Sequence, residues 1–459
     1  MKNFYWKLAI AFFLFFMAVS DGLAYEIDNT LPIARFSVEK RFLDLNEKVI
    51  YHDESYDPDG DTIVEWDWQG REDHFSEAGE KNVTLRVRDS RGLWSKPYTV
   101  NLMVREPKIV DSFTVLMNSS PIGKRLDFTG EEPLSFQLLS PERVRCGGPT
   151  LLLSDSPETL KENGILYADN ALGNVRLFYY HENGIYRPKR VVVIAENMEE
   201  DKTVKLNIMK EAAAGPSKKG VLLGQQGVLR YFKSGAGKSL ALEPGQAVVI
   251  NQLAKVDIPY KHITHEVMDV YTDGLVRFTY LALEPGIDPL TAYRSDLKIL
   301  LRDNHPRGTF LNADRYLEIN VEDKGKKRIS FGDNKTDQFQ TGVDNLTGLP
   351  SINHGNYGVL YTVAVKSPHR LGAALVMKGG PYAGAVISTD GKIHAIPTAG
   401  VIYPIIHGAK VAVFPATDYY FKKIKFMVPV ASSTPIDLLM IHLDENNVEE
   451  AEEEVMEGE

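Results

Sequence analysis

Three aspartates at alternate positions have the side-chain type and the spacing of a cation site. Asp57, Asp59 and Asp61 lie in the run DPDGD, and calcium loops begin with oxygen ligands at alternate positions. The twelve-residue calcium pattern, which ends in a distal glutamate, does not follow them. The same run is strong turn chemistry, because proline fixes φ, glycine accepts positive φ and aspartate bonds to the nearby backbone. The sequence therefore favours an ordinary hydrogen-bonded turn and leaves calcium binding as the alternative.

Two tryptophans could form either a carbohydrate platform or part of a core. Trp66 and Trp68 stand two residues apart in a predicted strand, so both side chains point to the same face. A carbohydrate platform would use such neighbouring aromatic rings. Burial of the pair is the commoner use in a β-sandwich, and we expect this face to belong to the core.

Two further motifs resemble ligand sites but fail on spacing. The run SGAGKS at 234–239 would need a glycine at position 232 to form a phosphate loop, and that residue is Phe232. His262 and His265 match neither zinc-protease pattern, and residues three apart on a strand point to opposite faces. No serine lies in a G-x-S-x-G elbow, and acidic pairs for glycoside hydrolysis depend on a separation in space. We therefore expect no catalytic residue, no cofactor and no metal ligands beyond the three aspartates.

The aspartates and the tryptophans fall in a segment of short alternating runs, residues 32–106. Val83, Leu85 and Val87 alternate with polar residues at a period of two, and Leu102 and Val104 continue the pattern. Turn residues separate these runs at the spacing of a small antiparallel sandwich of about seven strands. The segment is therefore predicted to be an independent β-sandwich domain.

This segment resembles the PKD (polycystic kidney disease) module, which is an immunoglobulin-like sandwich. The residues that carry the resemblance are, in order, Asp53-x-Ser55-x-Asp57-Pro58-Asp59-Gly60-Asp61, Glu65-Trp66-Asp67-Trp68, Gly79, Val83-x-Leu85-x-Val87-x-Asp89 and Gly92-x-x-Ser95. One departure is that Gln69-Gly70-Arg71 replaces the usual F-G-D-G run, so we expect a different loop there. The resemblance implies a spacer or a protein- and glycan-binding module on secreted and cell-surface proteins, and it implies no catalysis.

The remaining chain is predicted to be β-rich, so the whole protein is expected to be mainly β and multi-domain. Short β-branched runs bounded by Gly, Pro or Asn predict a second β-sandwich over 108–288 and a C-terminal β-rich domain over 289–443. Ser156-Pro157-Glu158, followed by Gly164, predicts one short helix. The stretch from Asn356 through the glycine-rich run at 378–385 resembles an uncharacterised module of secreted bacterial proteins, a likeness that implies no activity.

The two ends of the chain differ from its body. Residues 1–24 combine two lysines, an apolar run and small residues before Ala24, which predicts a cleaved export signal and no stable membrane span afterwards. A retained anchor is the alternative. Residues 444–459 hold nine acidic residues and no basic one, which predicts a disordered tail, with cation binding as the alternative. The body is therefore almost neutral, which argues against general nucleic-acid binding.

The cysteine content and the resemblance together point to a function class. Cys146 is the only cysteine, so no intrachain disulfide can form, and bacterial export explains this most simply. We predict a secreted, extracellular or cell-wall-associated protein without enzymatic activity, which binds extracellular protein or envelope polysaccharide or acts as a spacer. One alternative is a secreted polysaccharide- or peptide-processing enzyme with an accessory PKD-like module. Another is a structural component of a surface layer or spore coat.

Overall fold

The structure, a computed structural model, describes most of the chain between residues 29 and 442. The described ranges are 29–105, 120–127, 133–235, 237–323, 325–403, 410–417 and 421–442. The predicted export signal at 1–24 and the predicted acidic tail at 444–459 lie outside them. The chain divides into two compact units, Met1–Lys108 and Ile109–Glu459, and the predicted first domain, 32–106, falls within the first unit. Of the helices described, none is long and apolar enough to cross a membrane.

The first unit is built from short antiparallel and parallel strand pairs. Its described strands are β1 (Phe36–Val38), β2 (Phe42–Asp44), β3 (Tyr51–Asp53), β4 (Ile63–Gln69), β5 (Gly79–Asp89) and β6 (Tyr98–Arg105). One sheet pairs β1 with β3, and the other has the order β2-β6-β5-β4, which leaves β4 at an edge.

The two sheets of the first unit share one apolar core. Val83, Leu85 and Val87 are buried on one face of β5, as their alternation predicts, and Phe36 of β1 belongs to the same cluster. This arrangement is a β-sandwich, which confirms the predicted fold of the segment at that level.

Strands predominate in the second unit as well, which confirms the prediction of a mainly β protein. Its described strands are β7 (Arg125–Asp127), β8 (Gln137–Leu138), β9 (Arg143–Gly147), β10 (Thr150–Ser154), β11 (Thr159–Leu160), β12 (Gly164–Asn183), β13 (Arg190–Asn197), β14 (Val204–Ser217), β15 (Lys238–Leu242), β16 (Ala247–Val249), β17 (Ile263–Leu283), β18 (Arg307–Phe310), β19 (Asp314–Asn320), β20 (Lys326–Phe331), β21 (Gln340–Asp344), β22 (Leu349–Asn353), β23 (Leu360–Lys366), β24 (Leu371–Met377), β25 (Gly384–Ile387), β26 (Ile393–Ile396), β27 (Lys410–Thr417), β28 (Phe421–Met427) and β29 (Ile436–His442). Two α-helices are described with them, α1 (Gly220–Lys233) and α2 (Pro289–Tyr293).

The largest sheet of the second unit is organised around two long strands. β12 and β17 pair antiparallel along nearly their whole length, with one register shift at the start of β12, between Ile165 and Tyr167, and one near its middle, between Ala171 and Gly173. Eight strands of this sheet follow the order β15-β14-β17-β12-β10-β18-β21-β22. In addition, β11 pairs with β12, β13 pairs with β17, and β16 pairs with β13. Its long strands are rich in β-branched and aromatic residues, which suit a pleated surface that is buried.

Two smaller sheets form a sandwich in the same unit. One has the order β26-β25-β28-β23-β19-β9 and the other β7-β27-β24-β29-β20-β8. Tyr361 and Phe426 from the first of these sheets pack with Phe331 and Leu438 from the second in one buried cluster. The rings of Tyr361 and Phe426 stack with centroids 4.9 Å apart.

The predicted boundary between 108–288 and 289–443 is wrong, because strands from both segments share sheets. β10 pairs antiparallel with β18, and β9 pairs antiparallel with β19. The Asp288-Pro289 signal has another cause: it begins the short helix α2, where the Asp288 carboxylate accepts a hydrogen bond from Thr291 N at 2.8 Å and proline stands in the first turn.

The predicted short helix at 156–164 is also wrong. The Ser156 hydroxyl donates to Asp303 Oδ1 at 2.7 Å instead of capping a helix, and β11 follows directly. A longer helix, α1, forms further along the chain, and its interior contains Gly224 and Gly227. A Cβ at Gly224 would overlap the Val430 carbonyl oxygen in the loop after β28, and one at Gly227 would crowd the His265 ring of β17, so these glycines let α1 pack closely on both.

Candidate functional site

An open groove on the first unit is lined mainly by aromatic side chains. Tyr51 and Asp53 from β3, Trp66 and Trp68 from β4, and Arg71 from the loop after β4 surround about 500 Å³. Alternation along β4 places both tryptophans on the same face, as the sequence predicts. The groove therefore joins an edge strand of one sheet to a strand of the other.

Trp66 is half exposed, so the prediction that it belongs to the core is wrong. Its side chain is 45% exposed, and its Nε1–H donates to Asp53 Oδ2 at 2.7 Å. The physical reason is that β4 lies at the edge of its sheet, where one side of the strand has no neighbouring strand to cover it. The hydrogen bond to Asp53 orients the indole ring in this exposed position.

Trp68 keeps the structural role that the sequence predicts. Its ring packs edge-on against Phe36 of the core with centroids 4.8 Å apart, and against Tyr51 at 5.8 Å. Tyr51 is held in turn by its hydroxyl, which donates to the Glu72 carbonyl oxygen at 3.0 Å, and burial raises its pKa. The floor of the groove is thus anchored in the core, and a ligand would meet it without first having to order it.

Arg71 supplies a cation above this aromatic floor. Its guanidinium carbon lies 4.6 Å from the Trp68 ring centroid and 5.0 Å from that of Tyr51, which is the geometry of a cation–π contact. Gly70 has a φ of +70°, and a Cβ there would overlap the Asn82 carbonyl oxygen. The backbone conformation of Gly70 therefore positions this arginine.

The groove combines two kinds of recognition chemistry. The exposed Trp66 ring offers flat apolar area, while Asp53 and Arg71 offer a hydrogen-bond acceptor and donors at its rim. Sugar rings present both apolar C–H faces and hydroxyl groups, so a saccharide fits this combination. Sequence reasoning found the two tryptophans but missed two partners: Tyr51, which comes from another strand, and Arg71, whose place above the rings depends on the turn at Gly70.

The structure brings together the three aspartates that were the candidate calcium ligands. One carboxylate oxygen from each of Asp57, Asp59 and Asp61 lies within 4.8 Å of the others. The predicted turn is present too, since Asp57 Oδ1 accepts from the backbone N–H groups of Asp59 at 2.8 Å and Asp61 at 3.3 Å. Turn formation and convergence of the carboxylates are therefore compatible, and calcium binding stays the alternative to a turn alone.

Two contacts bear on whether a cation would bind there. Asp57 is 9% exposed, and its Oδ2 has no hydrogen-bond partner among the described residues, which leaves a buried acceptor available. Against this, Arg91 Nε lies 3.1 Å from Asp61 Oδ2, so a bound cation would compete with an ion pair already formed.

The histidines that were weighed as zinc ligands are separated by the strand geometry. His262 Nδ1 lies 3.0 Å from the Tyr260 carbonyl oxygen, whereas His265 Nδ1 lies 2.7 Å from that of Tyr179. Burial lowers the pKa of His265 to about 4. His265 is thus a neutral side chain of the buried strand β17.

Comparisons with known proteins do not assign this chain to a family. No protein-family model matches it, and neither does any curated protein. Among solved structures, a carbohydrate-binding module of the β-sandwich superfamily matches at 12% identity and a TM-score of 0.16, over 56% of this chain and 100% of its own.

Two other solved structures show likeness at the same low level. The CUB1-EGF-CUB2 domain of human MASP-1/3 matches at 8% identity and a TM-score of 0.17, over 57% of this chain and 98% of its own. A Bacteroides ovatus mixed-linkage glucan utilization protein, SGBP-B, matches at 9% identity and a TM-score of 0.12, over 56% of this chain and 100% of its own. Likeness at these scores indicates no function for this chain.

Proposed function

We propose that this chain is a secreted, non-enzymatic bacterial protein whose first unit is a PKD-like module that binds polysaccharide of the cell envelope or its surroundings. The observation that carries the proposal is the groove of Tyr51, Trp66, Trp68 and Arg71, in which an indole ring stands exposed but fixed by Asp53. An exposed indole ring that a hydrogen bond orients offers a flat apolar surface to a ligand. The motif resemblance of residues 32–106 supports the same class of module.

The chemistry of the groove favours saccharide over a general apolar ligand. Trp66 offers a ring face, and the Asp53 carboxylate and the Arg71 guanidinium can each hydrogen-bond to hydroxyl groups. Trp, Tyr and Arg are also the residues that dominate protein interfaces, so a protein ligand is the competing outcome of the test.

The experiment exposes the full chain to a panel of soluble and insoluble polysaccharides, with casein as a protein control. The proposal expects retention on at least one neutral polysaccharide with no release of soluble fragments. Fragment release would indicate the enzyme alternative, and retention on casein alone would indicate a protein-binding module.

Export is tested separately, on protein secreted by the producing cell. Residues 1–24 predict cleavage after Ala24, so mass spectrometry should find a mature chain that begins at Tyr25. An intact Met1 in the membrane fraction would contradict secretion without bearing on the groove.

A further inference from the structure

Two tyrosines stack on each other at the surface of the second unit. Tyr186 lies in the connection between β12 and β13, and Tyr260 lies just before β17. Their ring centroids are 4.2 Å apart and their planes meet at 32°. Tyr186 is 86% exposed, so its ring contributes little to any core, and the pair presents an aromatic face to solvent.

The two connections that carry these rings are held together by one buried side chain. Asn183 Nδ2 donates to the carbonyl oxygens of Arg187 at 2.8 Å and Ile258 at 2.7 Å. In addition, Lys261 N donates to the Asn183 carbonyl oxygen at 2.8 Å. The backbone on both sides of the tyrosine pair is therefore fixed, which lowers the entropy cost of binding a ligand there.

The surroundings of the pair are positively charged. Segments 182–190 and 255–262 contain five basic and two acidic residues, in a chain whose formal net charge is -10. Two of the five basic residues are paired: Arg190 Nε lies 2.6 Å from Asp257 Oδ1, and Nζ of the buried Lys189 lies 3.4 Å from Glu284 Oε1. By contrast, Arg187 and Lys261 make no ion pair with any residue that the structure describes, and Lys261 Nζ lies 5.5 Å from the Tyr260 ring centroid.

We propose that this tyrosine patch, formed by Tyr186, Tyr260, Arg187 and Lys261, binds acidic polysaccharide rich in uronic acid. The C–H face of a uronate ring would stack on the exposed Tyr186 ring. Its carboxylate would pair with Lys261, whose Nζ lies beside the Tyr260 ring, and with Arg187, the exposed residue that follows Tyr186 in the chain. An acidic polypeptide would satisfy the cations but would leave the flat aromatic face without a matching surface. The proposal concerns the second unit and does not depend on the groove of the first.

The test measures binding of the full chain to polygalacturonate by isothermal titration calorimetry. Fully methyl-esterified polygalacturonate keeps the sugar rings without the charge, and poly-L-glutamate keeps the charge without the rings. The patch should bind polygalacturonate at least about tenfold more tightly than either comparison polymer, a difference of about 1.4 kcal/mol.

Two variants remove one element of the patch each. Tyr186→Ala deletes the exposed ring. Lys261→Asn deletes a charge at a position with φ of +56°, which asparagine tolerates. Each should weaken binding of polygalacturonate by at least about fivefold, and thermal melting should verify that the fold is unchanged. Tyr403→Ala, at a tyrosine that is 50% exposed elsewhere in the unit, should leave binding unchanged.

The outcomes separate this proposal from that for the first unit. Trp66→Ala should leave polygalacturonate binding intact if the tyrosine patch is the site. The proposal is overturned if the wild-type chain does not bind polygalacturonate, if poly-L-glutamate binds as tightly, or if Tyr186→Ala binds as well as wild type.

Discussion

Replacing Asp344 with asparagine should lower the free energy of unfolding of the second unit by about 3–5 kcal/mol. Asp344 ends β21 and is fully buried, and it accepts from Arg307 Nε at 3.1 Å and Nη2 at 2.8 Å. Arg307 is itself buried at the start of β18, where Nη1 donates to the carbonyl oxygens of Leu166 at 3.2 Å and Leu300 at 2.8 Å. Asparagine keeps the shape but removes the negative charge, which leaves a buried guanidinium without its counter-charge.

Urea unfolding of the full chain, followed by far-UV circular dichroism, measures this loss in the transition of the second unit. Asp296→Asn is the matched control, since Asp296 is exposed, and its change should stay within about 0.5 kcal/mol. Adding Arg307→Met to Asp344→Asn should recover part of the loss, because the double variant no longer buries a lone charge. A free energy of unfolding for Asp344→Asn within about 0.5 kcal/mol of the wild-type value would contradict the placing of β18 and β21 in the large sheet beside strands from the first half of the second unit.

Two further predictions concern titration and calcium. Burial lowers the pKa of His181 and of His265 to about 4, so the folded state favours the neutral imidazole. For each histidine, about 3 kcal/mol of the free energy of unfolding is present above pH 6.5 and is lost as the pH falls towards 4. Buried Glu266, whose pKa is raised to about 7, acts with the opposite sign in this window, so the test compares two proteins. Urea unfolding between pH 6.5 and 4 should show a smaller loss of stability for His265→Asn than for wild type, and an identical pH dependence of the two would contradict the burial argument. For the aspartate turn, calcium should raise the melting temperature of the first unit, and Asp57→Asn should abolish that rise while the exposed control Asp73→Asn preserves it. A melting temperature that does not respond to calcium would leave the three aspartates as a turn only.

Local patterns made part of this fold predictable. The alternation of Val83, Leu85 and Val87 is a property of one strand, so period-two reasoning placed them correctly in the core of the first unit. Whether a strand lies at the edge of a sheet depends on strand order, and for that reason the exposure of Trp66 could not be deduced from its spacing to Trp68.

Contacts between distant segments explain the other misses. The pairing of β10 with β18 joins residues about 150 positions apart in sequence, and no local composition marks such a pairing. The helix α1 was missed because Gly224 and Gly227 weaken helix propensity, a cost that is offset where they allow close packing on the strands. Arg71 is a further case. From the sequence it is only a loop residue, and it belongs to a site because the fold brings Tyr51 and Trp68 together beneath its guanidinium.

The central claim is that the groove at Trp66 binds polysaccharide, and affinity tests it most directly. Isothermal titration calorimetry would measure the affinity of the full chain for the polysaccharide that retains it, in wild type, Trp66→Ala and Trp94→Ala. Trp94 is a half-buried tryptophan of the same unit that does not line the groove. The account predicts that Trp66→Ala weakens binding at least about tenfold while the free energy of unfolding falls by less than about 2 kcal/mol, since nearly half of the side chain is already exposed. Trp94→Ala should bind as wild type does. Equal affinity of wild type and Trp66→Ala would contradict a binding groove at this position.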